Sequence, residues 1–352
     1  MILIILLSIL VVLLVIVLFI AQYKKNFAEM KMFIFNGKFN NYDHSDPPLQ
    51  PFNELGLKEV ATFDEANLFL FTDYTFIDDY IADIKFKKDA IIYGFKGVDQ
   101  LANKGYLANY MRGSKYLPKT YILSENEYPT EDNTLYILKK NIQRQEGLLI
   151  TKDLKYIKEQ ALEDYYVVAQ ELLQDVYLVN KRKINMRVYM LVVIDKLNID
   201  WYIYKDGFIY YAPKEFEENS ADKEVNVTTG YIDREIYENN PLTHKDLYKF
   251  IGEEKADILK KNINALFRTI KDKYSKVLIN ENKDIPGLKF KVFGADVGPT
   301  SILDVTCQEI NKGCNLTYMD ERDKEVKFNM IKNMMTLVGV MSDGDPSMFK
   351  NI

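Results

Sequence analysis

FKVFGADVGPTSILDVTCQEIN, residues 290–311, holds two short apolar stretches, 290–297 and 302–310, separated by a break near Pro299-Thr300-Ser301-Ile302. Stretches of this length rich in Val, Phe and Ile favour strands, and a turn between them makes an antiparallel pair. Side chains alternate faces along a strand, so Asp296 is expected roughly opposite Glu309, with Asn311 on the face of Glu309. Three oxygen donors then converge. Two carboxylates and an amide suit a hard divalent ion such as Mg²⁺, which keeps several waters and is commonly shared with phosphates. On these three residues alone, an exposed hairpin carrying ordinary surface acids stands as the alternative.

Outward from the hairpin, composition narrows the class. The chain has 352 residues and a formal net charge of −5, so nothing draws it globally to nucleic acid. Only local patches, Lys139-Lys140 and Lys181-Arg182-Lys183, could do that, and no nucleic-acid partner is expected. Cys307 and Cys314 are the only cysteines, and His44 and His244 the only histidines. Without a cysteine cluster, a Walker loop or a hydrolase serine motif, zinc and triad chemistry drop away. Two thiols make no disulfide framework, and a reducing compartment fits despite the sequons at Asn226 and Asn315.

Residues 2–20 are aliphatic apart from Ser8, long enough to cross a hydrocarbon core of roughly 30 Å as one helix. A cleaved signal peptide would carry a basic start and a small-residue cleavage site, and neither is present. Lys24, Lys25 and Lys31 follow the apolar run, so a single-pass membrane protein with a cytoplasmic body is expected.

The chain is expected to divide into a transmembrane helix (1–21), a linker (22–53), an N-terminal α/β lobe (54–123), a central lobe (124–172) and a C-terminal lobe with the metal site (173–352). Strands are predicted at 67–71, 90–95, 135–139, 148–150, 166–170 and 187–194, and a helix over 98–111. Residues 201–204 and 208–212 read as a hairpin around Asp206-Gly207. Thr243 reads as the N-cap of a long amphipathic helix carrying Leu247, Phe250, Ile251, Ile258, Leu259, Ile263, Leu266, Phe267, Ile270 and Tyr274 on one face. A weaker helix falls within 316–341.

In chain order, five features line up: Pro118-Lys119-Thr120-Tyr121-Ile122-Leu123, Lys139 ending an apolar strand, Gln170, Lys183-Ile184-Asn185-Met186-Arg187, and Asp296 with Glu309-Ile310-Asn311. Together they resemble the motif series of the tubulin tyrosine ligase-like family of ATP-grasp enzymes, over residues 90–316. The resemblance implies a mixed α/β (α+β) ATP-grasp fold, with a nucleotide cleft between two β-sheet lobes and ATP and Mg²⁺ as cofactors. It puts Lys139 on the α- and β-phosphates and Arg187, the catalytic cation, on the γ-phosphate. Adenine would be held by the Gln170 side chain and by backbone groups of Glu171 and Leu172. Lys183 would touch the nucleotide and Asn185 its ribose side, with Thr228 and, more loosely matched, Lys104 in the same set. Asp296, Glu309 and Asn311 would hold Mg²⁺.

The implied activity is ATP-dependent ligation of a free amino acid (Glu, Gly or Tyr) to a protein acceptor with an acidic tail, tubulin by resemblance, through an acylphosphate. Departures from the family pattern are Arg144-Gln145-Glu146-Gly147 for Arg-Gly-x-Gly in a phosphate-covering loop (141–147), Asn185 for Asp, Tyr210 for Arg, and Asn226-Val227-Thr228-Thr229 for His-Leu-Thr-Asn. They keep two other readings open: a catalytically degenerate, membrane-tethered nucleotide-binding module, and a ligase for a non-tubulin peptide.

Overall fold

The computed structural model describes residues 30–35, 50–71, 77–141 and 147–352. Its strands are β1 (Lys31–Phe35), β2 (Lys58–Glu59), β3 (Leu68–Phe71), β4 (Ile91–Tyr93), β5 (Thr120–Ile122), β6 (Tyr136–Lys139), β7 (Leu148–Thr151), β8 (Val168–Glu171), β9 (Leu178–Val179), β10 (Arg182–Asp195), β11 (Asn198–Tyr211), β12 (Leu288–Pro299), β13 (Val305–Asn311) and β14 (Phe349–Asn351). They make a mixed α/β architecture with two sheets. The ten-stranded sheet runs β14-β11-β10-β12-β4-β3-β1-β2, with β13 paired to β12 and β9 to β10; the four-stranded sheet runs β5-β8-β6-β7.

The expected N-terminal lobe does not stand apart. β4 pairs in parallel with the start of β12, from Leu288↔Ile91 to Phe290↔Tyr93, so β1 to β4 extend the sheet that carries the hairpin. Part of the expected linker is also structure, because Lys31–Phe35 is a strand parallel to β3 with Met32 and Ile34 buried. Apolar residues two apart give this stretch a core face that the polar, Pro-rich part of the linker lacks. The expected transmembrane helix (1–21), most of the rest of the linker and loop residues 142–146 lie outside the described residues. Among the described residues, no helix is long and apolar enough to cross a membrane.

Residues 183–194 of β10 are all buried. A strand covered on both faces reads as a nearly continuous apolar run rather than an alternation. The expected hairpin at 201–212 is instead one strand, β11, and the turn lies upstream at Lys196 (φ 55°). Asp206-Gly207 marks an irregularity, where pairing shifts from Val188↔Gly207 to Met190↔Ile203. A Cβ at Gly207 would lie 2.2 Å from the Arg187 carbonyl oxygen and 2.7 Å from the His244 ring. The glycine answers close approach, not a turn.

Thr243 does cap a helix, His244–Ile251, in a capping box with Asp246. Gly252 (φ 84°) then ends it, and a second helix, Glu253–Asn282, buries Leu259, Ile263, Leu266, Phe267, Ile270 and Tyr274. The break resets the helical phase and leaves Phe250 and Ile258 exposed. Residues 98–111 split likewise, into Val98–Ala102 and Lys104–Tyr110, where the Asn103 side chain accepts from the Gly105 and Tyr106 amides.

His244 is buried beside Gly207, and its Nε2 has no partner among the described residues. Burial pushes its imidazole down to about 3, against a hydrogen bond to the Arg187 backbone. A group neutral in the fold but titrating near 6.5 when unfolded contributes fully above pH 6.5, and costs about 1.4 kcal/mol per pH unit below it. From pH 7 to pH 5, the stability of the wild type relative to His244→Gln should therefore fall by about 2 kcal/mol in urea unfolding. A difference that stays constant with pH would contradict this.

Candidate active site

The site lies on one face of β10, β12 and β13, where they meet the smaller sheet. Asp296 pairs with Glu309 across β12 and β13, as the alternation predicts, and with Arg187 across β12 and β10. Arg187 grips it with both prongs: Nε donates to Oδ1 at 2.7 Å and Nη2 to Oδ2 at 3.2 Å. Asn311 Nδ2 donates to Glu309 Oε1 at 2.9 Å, and Lys104 Nζ lies 3.6 Å from Glu309 Oε2. From the smaller sheet, Lys139 donates to Gln170 Oε1 at 2.7 Å and, across the seam, to the Gln308 carbonyl at 3.1 Å.

Two glycines make this packing possible. Gly294 and Gly298 stand two residues either side of Asp296, on its face of β12. A Cβ at Gly294 would lie 2.9 Å from Arg187 Cδ, and one at Gly298 would lie 2.5 Å from Gln308 Nε2. Gly-x-Asp-x-Gly thus clears room for side chains from both neighbouring strands.

The cations Lys139, Lys183 and Arg187 are buried, the acids Asp296 and Glu309 only partly so, and the charges are unevenly balanced. Asp296 is pushed up, first by burial and then by the Glu309 carboxylate, against the pull of Arg187. Burial would raise Glu309 too, but Lys104 and Lys139 hold it down. Lys139 and Lys183 are both lowered to about 8, chiefly by burial; Glu309 opposes the shift at Lys139, and Lys139 adds to it at Lys183. Lys183 is 3% exposed and its ammonium makes no hydrogen bond among the described residues. Two neighbouring ammonium groups with little counter-charge leave a local positive potential that would attract an anion.

Asp296, Glu309 and Asn311 come together, and the donor set fits Mg²⁺ in kind: two paired carboxylates, Asp296 pushed up and Glu309 held down, and an amide. No group of three His, Cys, Asp or Glu placed to hold a metal ion occurs among the described residues, so the third donor depends on Asn311.

The expected adenine contacts are less open. Gln170 Oε1 accepts from Lys139 Nζ, and its Nε2 donates to Thr120 Oγ1 at 2.8 Å. The Glu171 and Leu172 amides donate to the Lys119 and Leu135 carbonyls, both at 2.8 Å. Thr228 follows Val227, which packs on Leu135, Ile150 and Leu172 and so sets this loop at the seam. The Asn226 amide turns inward onto the Ser220 and Asp222 carbonyls and is buried, so this sequon is a loop brace.

Gln308 joins the site without having been expected there, and its carboxamide oxygen accepts from Asn185 Nδ2 at 2.8 Å. Tyr210, in place of the family arginine, lies opposite Asn185, and the Arg187 guanidinium sits 5.1 Å from its ring centroid as a cation–π partner.

Residues 84–347, well over half the chain, match the sequence profile of the tubulin-tyrosine ligase family. The chain belongs to this family. A probable tubulin polyglutamylase of Caenorhabditis elegans is 24% identical over 281 residues, which are 72% of this chain and 65% of that protein. A probable tubulin polyglutamylase of Bos taurus is 24% identical over 181 residues, 49% of this chain and 38% of that protein. A probable alpha-tubulin polyglutamylase of Tetrahymena thermophila is 23% identical over 253 residues, 63% and 58% of the two chains. This chain therefore spans less than two thirds of the length of these relatives. The tubulin-tyrosine ligase family span takes in every candidate residue from Lys104 to Asn311 and leaves out β1 to β3.

Proposed function

We propose that the chain is an ATP-dependent carboxylate–amine ligase that adds an amino acid to an acidic protein tail. Glutamate and tubulin are the leading substrates, because the relatives are named for that chemistry. The observation that carries the reading is the meeting of Lys139 and Lys183, two buried lysines from different sheets, with Arg187 and the Asp296–Glu309 pair. The lysines would hold the triphosphate as point charges, while the flat Arg187 fork suits the phosphoryl group in transit. Mg²⁺ held by Asp296, Glu309 and Asn311 would supply neutralisation of the phosphate charge. An acceptor carboxylate oxygen attacks the γ-phosphorus and ADP leaves. The amino-acid nitrogen then attacks the acyl carbon, phosphate leaves, and the nitrogen loses its proton.

Incubation with tubulin, labelled glutamate, ATP and Mg²⁺ should place label in the acidic tails with one ADP per residue added. Binding of ATP without incorporation of any amino acid into any tail would leave the binding-module reading, which the loss of a cation at Tyr210 favours.

A pH test is independent of the acceptor. Bound phosphate would restore Lys183 upward from about 8, so binding takes up a proton and affinity falls as pH rises through that value. Between pH 7 and pH 9 Lys183 should weaken ATP binding about tenfold, beside any share of Lys139, and Lys183→Met should lose that part of the slope. Equal slopes in the two proteins would remove Lys183 from the site. Membrane attachment through residues 1–21 is a separate proposal, tested by whether their deletion releases the protein from sedimented membranes.

A further inference from the structure

We infer that Gln308 is a positioning residue of the nucleotide site, tying Lys139 of the smaller sheet and Asn185 of the larger one to a single point beside Glu309. For its ligand class this rests on the nucleotide reading above. The pairs Asp296↔Glu309 and Val297↔Cys307 leave Gln308 as the extra residue of a β-bulge. A bulge frees one residue from the ladder and re-aims its groups. The freed carbonyl accepts from Lys139 and the carboxamide Oε1 from Asn185 Nδ2. The links Thr120–Gln170–Lys139–Gln308–Asn185 make one hydrogen-bonded chain from β5 to β10 across both sheets.

That chain fixes what remains for a ligand. Lys139 has three N–H groups and uses two, leaving one for a phosphate. Asn185 is 5% exposed, its Nδ2 is held by Gln308, and its Oδ1 has no partner among the described residues. A buried, unsatisfied acceptor is costly unless something meets it, and a ribose hydroxyl is the donor a nucleotide brings. Asparagine suits this arrangement better than the family aspartate, since a carboxylate has no N–H for Gln308 Oε1. Gln308 thereby orients the sugar contact and the phosphate contact together.

The test measures affinity of the full chain, with Mg²⁺, for ATP, 2′-deoxy-ATP and 3′-deoxy-ATP in the wild type, Gln308→Met, Asn185→Ala and the double variant. Gln308→Leu serves as a second replacement. Expected are a loss of about tenfold in ATP affinity for each single variant, no further loss in the double variant, and a fall toward one in the preference for ATP over a deoxy analogue. Single effects that multiply in the double variant, or a preference unchanged by replacing Gln308, would overturn the inference while leaving the ligase reading intact. Wild-type protein that binds no ATP would overturn both.

Discussion

Glu309→Ala is expected to lower ATP-dependent amino-acid transfer by about a thousandfold, equivalent to roughly 4 kcal/mol of barrier. Glu309 touches Asn311, Lys104 and Asp296 at once, so its loss removes a proposed metal donor and the counter-charge of two lysines. Without its neighbour's negative charge, Asp296 should ionise more readily. Glu309→Gln separates these effects, because it keeps the oxygen that accepts from Asn311 and removes only the charge. It should fold like the wild type, show the same loss of turnover, and need far more Mg²⁺ for half-maximal rate. Turnover within a few-fold of wild type in both variants would remove Glu309 from the chemistry.

Arg187→Ala should damage stability and activity together. Its two-pronged bond joins a buried guanidinium to a largely buried carboxylate, and removing one partner of a buried pair costs about 3–5 kcal/mol because the other is left uncompensated, an upper figure for this one. Denaturant unfolding would show that loss, and turnover should fall by about 10²–10³ through the missing phosphoryl contact. Arg187→Lys keeps the charge but neither the fork nor the planar stack on Tyr210, so it should recover stability better than rate. A stable Arg187→Ala protein with unimpaired turnover would mean that Asp296 is held by something else.

The hairpin was legible because alternation and a turn act over short range. Asp296 opposite Glu309, and the donor set they form with Asn311, follow from the two-residue period. The extra residue at Gln308 was not legible, since a bulge is a property of the pairing and leaves no mark in residues 305–311 alone. The same limit hid the joining of β4 to β12, a contact between residues some two hundred apart. Lys289 and Lys291 illustrate the converse. Alternating lysines suggest a wet face, yet both are fully buried, Lys289 on the Ile285 and Gly287 carbonyls and Lys291 over the Tyr93 ring. Long stems let an ammonium reach partners far from its Cα. At Asp206-Gly207 the sequence pointed to a turn because Asp-Gly is a strong turn signal; the carbonyl and imidazole that demand a glycine there come from other strands and helices.

Calorimetric titration of the full chain with ATP, with and without Mg²⁺, bears most directly on the candidate site where the two sheets meet. Saturable one-to-one binding at a dissociation constant within about 1 μM–1 mM is expected with Mg²⁺, weakened at least about tenfold without it and in Glu309→Gln. No heat at millimolar ATP, or binding indifferent to Mg²⁺ and to Glu309, would contradict the site described here.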